Sequence, residues 1–318
     1  VHWQPSASLT VLRERARLLR ELREFFWHRQ VMEVDTPLLA GCTATDPHLH
    51  SFGVDDAAGA RAYLQTSPEF AMKRLLAAGA GAIYQLGKAF RDEESGRHHN
   101  REFTLLEWYR PGFDEAQLMG EVEALLRGCL PRRHWPASIP RLSYAQVFRR
   151  ALALDPHRAT EQALADCAAS RLDVGDMQGG RDDWLQLLFS HCVEPTLPSV
   201  CFVTQFPASQ AALAQLQQDH DANTVARRFE LYIDGLELAN GYFELSDAAE
   251  QRRRLLADNL QRQARGLPVM PVDERLLAAL AHGLPSAAGV ALGVDRLLML
   301  RCAAADIASV LPFVASDS

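Results

Sequence analysis

The stretch RFELYIDGLELANGYFE, Arg228 to Glu244, decides the fold. Arg228–Ile233 and Leu236–Tyr242 read as two strands, joined by Asp234-Gly235. Asp-Gly suits a two-residue hairpin because both turn residues take positive φ. Working outward, Val200–Phe206 reads as a strand, Asp247–Arg265 as a charged helix and Leu276–His282 as a further helix. Gly289–Val294 reads as a buried strand, and Asp295–Cys302 as a last helix. Toward the N-terminus, Phe103–Tyr109 pairs with Ile83–Leu86 and its continuation Ala89–Arg91, across a polar loop at 94–100. Tyr63–Gln65 is a short strand. Ser67 caps a helix that starts on Pro68 and runs through Phe70, Leu75 and Leu76. The first helix carries its apolar stripe on Leu12, Ala16, Leu19, Leu22 and Phe26, and Ser8 or Thr10 caps it. Val31–Leu39 is extended and holds Pro37, which a central strand does not tolerate. Phe113–Leu130 is helical, Pro131–Arg141 is a connector, and 142–200 is helical and irregular. Strands joined by hairpins, not βαβ crossovers, predict an α+β fold with an antiparallel β-sheet flanked by helices.

Composition narrows the class. The chain has 318 residues, 48% hydrophobic and 23% charged, enough to bury a core and to exclude disorder or a disulfide scaffold. The net charge of −7 argues against a generally basic nucleic-acid surface. Two uncharged stretches resemble membrane spans, Pro195–Gln218 and Leu276–Val294. The first holds three prolines and five glutamines; Pro285 and three glycines break the second. No signal peptide is visible, and the six cysteines form no CxxC pair, so a cytoplasmic, reducing setting is expected. His48/His50 and His98/His99 have no third ligand at a metal-site spacing.

Three segments carry chemistry. Phe90-Arg91-Asp92-Glu93 precedes a polar loop and then Phe103, Glu107, Trp108 and Tyr109. An Arg at a strand end offers a planar fork to phosphate, and Phe103 a face to a base. In the hairpin, Glu230 and Glu237 face each other, which suits Mg²⁺ held with phosphate oxygens. In the third, GVALGVDR from Gly289 to Arg296, a Gly-rich strand permits close ligand approach, and Arg296 adds charge to a helix start. Taken singly, each has a plainer reading: a solvated hairpin, surface carboxylates, a tightly packed strand.

Together, in this order and at these separations, they resemble motifs 2 and 3 of class II aminoacyl-tRNA synthetases, and Pro37 resembles the proline of motif 1. The resemblance covers residues 8–315 and is nearest to the lysine-specific catalytic domain, through Thr66-Ser67-Pro68-Glu69, Arg91–Tyr109 and Glu237–Glu244. It implies a single catalytic domain over 1–318, with motif 1 at 31–39, motif 2 at 89–109, motif 3 at 289–302 and a helical insertion at about 142–200. It further implies that Arg91 meets the ATP α-phosphate, Glu93 the adenine amino group and Phe103 the adenine face. Asp92, His99, Asn100, Leu238 and Gly293 line the nucleotide, and Arg296 clamps the γ-phosphate. Glu230 and Glu237 hold Mg²⁺. Glu69, beside Ser67 and Pro68, meets an amino group near the substrate carboxylate, while Glu107, Tyr109, Asn240 and Glu244 take a lysine-type ammonium. A buried ammonium needs carboxylate partners. The implied reaction is adenylate formation: the amino-acid carboxylate attacks the α-phosphorus and pyrophosphate leaves, with Arg91 and Arg296 as catalytic residues and no protein nucleophile. Motif 1 implies a homodimer.

Two features depart from a lysyl-tRNA synthetase. About ten residues precede the first helix, and no segment supplies the five strands of an anticodon-reading OB-fold, so tRNA is not the expected partner. A bare core of this kind resembles the elongation factor P lysine ligases, which transfer (R)-β-lysine, or lysine, to a lysine ε-amine of that factor. Secondly, Ala291 stands where the synthetase pattern has Gly, and in the ligase family this alanine accompanies a β-amino acid. The alternatives are an enzyme that charges RNA and a non-catalytic regulator. The regulator would be expected to lose Arg91, Arg296, Glu230 or Glu237, and all four are present. Arg252–Arg254 reads as a solvated helix face rather than a docking patch.

Overall fold

The structure is a computed structural model that describes residues 3–92, 96–131, 135–175, 177 and 179–314. They divide into two compact units. Unit 1 comprises Val1–Arg132 with Glu244–Ser318, and unit 2 is Arg133–Phe243.

Unit 1 opens with helix α1 (Leu9–Trp27), capped by the Ser8 hydroxyl on the Val11 N–H. Its buried stripe is Leu18, Leu22 and Phe26. Ala16 is exposed and Leu19 only half-buried, so the helix is rotated from the expected stripe. Phe26 stacks on Tyr84 at 4.4 Å and meets Trp108 edge-on at 5.4 Å, which seats α1 on the sheet. The 31–39 segment forms two short strands, β1 (Met32–Glu33) and β2 (Leu39–Ala40), in different sheets, with Pro37 between them and outside both ladders. β3 (Gly53–Asp55) and β4 (Arg61–Leu64) complete the small sheet β2-β4-β3. Helix α2 (Glu69–Ala77) starts one residue later than expected, with Pro68 as N-cap; the Ser67 hydroxyl accepts the Glu69 N–H. β5 (Ile83–Phe90) and β6 (Glu102–Pro111) pair antiparallel, while β1 joins β5 in parallel. Helix α3 (Glu115–Cys129) begins with an Asp114/Gln117 capping box.

Unit 2 contains β7 (Arg141–Ser143), then the helices α4 (Tyr144–Leu152), α5 (Glu161–Ala169) and α6 (Arg181–Leu188). β8 (Val200–Pro207), β9 (Leu216–Gln218), β10 (Thr224–Ile233) and β11 (Leu236–Phe243) come next. β10 lies between β8 and β11 and also pairs with β9, all antiparallel, and β7 adds to β8 in parallel. Asp234 and Gly235 have φ of 51° and 74°, as the Asp-Gly turn requires. Tyr144, Phe148 and Phe189 stack in the core, with Phe206 and Tyr232 beside them.

Unit 1 resumes with α7 (Ala248–Ala264), α8 (Glu274–Gly283), β12 (Ala287–Gly293) and α9 (Val294–Cys302). β12 pairs antiparallel with β6. The uncharged run 276–294 is therefore a helix followed by a strand, and no helix among the described residues is long and apolar enough to cross a membrane. The register of β5, β6 and β12 sets three cross-strand rows. Tyr109 lies between Ile83 and Gly289, Glu107 between Gln85 and Ala291, and Leu105 between Gly87 and Gly293. Directly opposed residues share a face, so these three rows run along one face of the sheet.

Candidate active site

In unit 1 the start of α2, the middle of β6 and the residue after β11 bring together a buried polar cluster. The Lys73 ammonium lies 2.6 Å from Glu69 Oε1 and 2.6 Å from Glu244 Oε2. Lys73 reaches Glu69 because the two are one helical turn apart. On β6, Glu107 accepts a hydrogen bond from the Tyr109 hydroxyl at 2.6 Å and one from the Ser67 hydroxyl at 2.7 Å. Burial pushes the Glu107 carboxyl up to about 7, reinforced by the charge of Glu69 and opposed by the bonds from Tyr109 and Ser67. Burial pushes Glu244 up to about 8 against the pull of Lys73. Burial disfavours the Lys73 ammonium, but Glu244 and Glu69 more than offset it and raise its pKa. The Tyr109 phenol is held well above its ordinary value by burial, then by the charges of Glu107, Glu69 and Glu244. Such a cluster of carboxylates favours a positively charged neighbour.

Gly289 lets this cluster form. A Cβ there would stand 2.5 Å from Tyr109 Cδ1 and 2.5 Å from Glu244 Oε1, so any side chain displaces both groups. The Ala291 methyl lies on the same face, opposite Glu107.

The same unit carries the arginine arm. The Arg91 guanidinium stands 5.1 Å from the centre of the Phe103 ring. Arg296 Nε donates to the His98 carbonyl at 3.3 Å, and its Nη2 lies 2.6 Å from His99 Nε2. The loop of β5–β6 and the start of α9 are thus tied through the guanidinium itself. Burial lowers the His98 pKa, with the charges of Arg97 and Arg296 adding to the effect. Asp92 pairs with Arg101, and the Asn100 amide donates to the Glu102 carbonyl at 2.6 Å, so both brace the loop. Glu93 lies outside the described residues. Gly293 is the N-cap of α9, and Ser67 and Pro68 form the entry to α2.

In unit 2, contrary to the expectation that Glu230 and Glu237 face each other, the two-residue turn at Asp234-Gly235 and a register shift after Leu231 place Glu230 opposite Asn240 and Glu237 opposite Tyr232. Glu230 is buried, and both its oxygens are engaged: Arg228 Nη2 lies 2.5 Å from Oε1 and the Tyr232 hydroxyl 2.5 Å from Oε2. Arg228 also donates to Asn240 Oδ1 at 3.2 Å and to the Gln210 carbonyl at 2.8 Å. Burial raises Glu230 to about 7; Arg228 opposes the rise and the charge of Glu237 adds to it. Glu230 and Glu237 are close enough for their charges to act on one another, and carboxylate oxygens are the donor type a divalent cation prefers. Leu238 is buried beside Glu237.

Sequence reasoning missed three contributors: Lys73, and the partners of Glu230, Arg228 and Tyr232. The Glu69-x-x-x-Lys73 spacing on an expected helix was the available signal for the first. It also missed a brace. Arg15 of α1 contacts Asp295 at 2.5 Å and Thr104 Oγ1 at 2.6 Å, and the Thr104 N–H donates to Asp295 at 2.7 Å. These flank Arg296 and Phe103 in sequence.

Comparison with known proteins gives the family. A family model for class II tRNA synthetases (D, K and N) matches residues 2–317. The chain is 52% identical over 320 residues to an elongation factor P–(R)-β-lysine ligase of Pseudoalteromonas translucida, covering 98% of this chain and 97% of that one. Proteins of the same name from Edwardsiella ictaluri and Salmonella paratyphi B are 52% and 50% identical over 322 residues, with the same coverage of both chains. The chain belongs to the class II tRNA synthetase family (D, K and N).

Proposed function

We propose that the chain is an ATP-dependent, AMP-forming ligase that activates (R)-β-lysine, or lysine, as the aminoacyl adenylate and transfers it to a lysine ε-amine of elongation factor P. The observation that carries the reading is the cluster of buried Glu107, Glu244 and Tyr109 with the partly exposed Glu69, which suits a ligand bearing ammonium groups. The relatives' shared name supplies the donor and acceptor.

The chemistry rests on electrostatics. The substrate carboxylate attacks the α-phosphorus of ATP in line, and pyrophosphate leaves. Arg91 meets charge developing on the α-phosphate, and Arg296 holds the γ-phosphate, displacing its contacts to His98 and His99. Phe103 stacks on the adenine beneath Arg91. Glu230 and Glu237 would hold Mg²⁺, which supplies charge neutralisation on polyphosphate oxygens. Arg228 and Tyr232 fix the Glu230 carboxylate. In the second half-reaction the acceptor amine attacks the adenylate carbonyl, and AMP leaves.

The active form is a homodimer. Trp27, Met32, Leu38 and Leu39, around Pro37, are exposed apolar side chains on one short stretch. A monomer in light scattering at micromolar concentration would overturn this part.

The function itself is tested by acceptor competition. The purified protein receives ATP, Mg²⁺, labelled lysine or (R)-β-lysine, bulk tRNA and elongation factor P, and the product is divided by RNase. Label that survives RNase and disappears when the acceptor lysine is changed to Ala supports the ligase. Label lost to RNase makes this an RNA-charging enzyme.

A further inference from the structure

Lys73 belongs to no motif and has no place in the reaction as described, yet its side chain is 1% exposed and lies between Glu69 and Glu244. We infer that Lys73 is a positioning residue for amino-acid binding: its ammonium holds Glu69 and Glu244 as oriented carboxylates, ready for the ammonium groups of the substrate. The inference deepens the proposed function and rests on it.

The geometry makes the case. One nitrogen is shared by two glutamate oxygens at 2.6 Å each, one from its own helix and one from the segment after β11. Glu244 is fully buried while Glu69 is partly exposed, and a buried carboxylate is favoured in its charged form by a cation beside it. The groups facing the ammonium are Glu69 on α2, Glu244, and Glu107 with Tyr109 on β6, whose charges act on one another. A compact ammonium with three donors can serve two carboxylates from different elements, whereas a guanidinium presents a fixed planar fork. A buried ion cluster is a weak stability device, because apolar residues of the same volume often serve as well. Its location between substrate-facing carboxylates gives it a different use. With Lys73 present, Glu244 and Glu107 give up their protons more readily than they would alone, so the incoming ammonium has fewer protons to displace.

The test is Lys73→Met, read by lysine-dependent ATP–pyrophosphate exchange across pH. At pH 7 the amino-acid KM is expected to rise about 10- to 100-fold, the worth of one charge-assisted hydrogen bond. The KM for ATP and kcat at saturating lysine stay near the parent values, and the fall of KM with pH moves to higher pH. An unchanged KM and pH profile, or a loss confined to kcat, overturns the inference, since a purely structural role would act on folded fraction alone. A second measurement stands if the variant does not fold. The chain has only two lysines, Lys73 and Lys88. In ¹⁵N-lysine-labelled Lys88→Arg protein, one exchange-protected ammonium correlation is expected, shifting when unlabelled lysine is added. Its absence, or its indifference to saturating lysine, counts against the role. If the parent shows no lysine-dependent exchange, the amino-acid-activation reading fails instead, and the ammonium signal of the free protein decides the status of Lys73.

Discussion

Each unit buries a glutamate against a basic side chain, and the two do it differently. In unit 2 the Arg228 guanidinium distributes its donors over Glu230, Asn240 and the Gln210 carbonyl, and Tyr232 takes the other Glu230 oxygen. In unit 1 a single ammonium is shared by Glu69 and Glu244, while Glu107 relies on two hydroxyls. Glu107 and Glu230 are both raised to about 7, and burial leads in both cases. The opposing groups differ: a full charge for Glu230, chiefly neutral donors for Glu107. The hairpin glutamate is thus held in one place with its charge largely answered. The unit 1 cluster sets three glutamates against the single ammonium of Lys73.

The sharpest way to break this contrast is to fill the unit 1 pocket from behind. Gly289→Ala places a methyl into Tyr109 and the Glu244 carboxylate, where the strand backbone cannot yield. Lysine-dependent pyrophosphate exchange is expected to fall more than about 100-fold in kcat/KM for the amino acid, with nucleotide affinity by fluorescence titration unchanged. Equal loss of ATP affinity would show that the pocket and the arginine arm are one unit mechanically. Two residues along the same face, Ala291→Gly removes a methyl opposite Glu107. It should raise kcat/KM for α-lysine relative to (R)-β-lysine by about tenfold or more, the usual worth of a methyl in a pocket. An unchanged ratio would make Ala291 simple packing.

These two positions show what the sequence could and could not tell. The Asp234-Gly235 hairpin, the β5–β6 hairpin and α9 are local patterns, and periodicity with turn chemistry located them within a few residues. The parallel edges, β1 on β5 and β7 on β8, are long-range pairings of two- and three-residue strands that leave no periodic trace. The same holds in the candidate site. Glutamates and arginines stood out by type and spacing. Lys73 drew no reading of its own, and Gly289 stood as one glycine of a strand that permits close ligand approach. Only the register of β12 on β6 reveals that its missing Cβ makes room for two pocket groups. The Leu19 versus Leu18 error has the same origin: a helix's buried face is set by what it packs on, here Tyr84 and Trp108, not by periodicity alone.

The contrast predicts a different response from unit 2. Glu230→Gln keeps the shape and removes the charge that Arg228 answers. The Mg²⁺ concentration for half-maximal pyrophosphate exchange should rise about tenfold, the size of one lost charge-assisted contact, with the lysine KM unmoved. A raised lysine KM at saturating Mg²⁺ would erase the division of labour between the two clusters.

The smallest expected effect is the one on pH, and it separates the clusters most directly. Glu107 and Glu244 stand at about 7 and 8 in the folded chain, above an ordinary carboxyl. A protonated carboxyl does not attract an ammonium, so the amino-acid KM should fall a few-fold as pH rises from 7 to 8.5 and then level. Stability runs the other way. A carboxyl whose folded pKa exceeds its unfolded one holds its proton longer in the folded state. Its contribution is complete below the unfolded value and is lost as pH rises through 7 to 8. The melting temperature of the free protein should therefore decline across this window, and saturating lysine should reverse the decline by supplying the missing cation. Glu230 titrates in the same range, so the Glu230→Gln variant isolates the pocket's share. If lysine lifts the melting temperature equally at pH 6 and pH 8.5, the carboxylates of unit 1 are not what binds it.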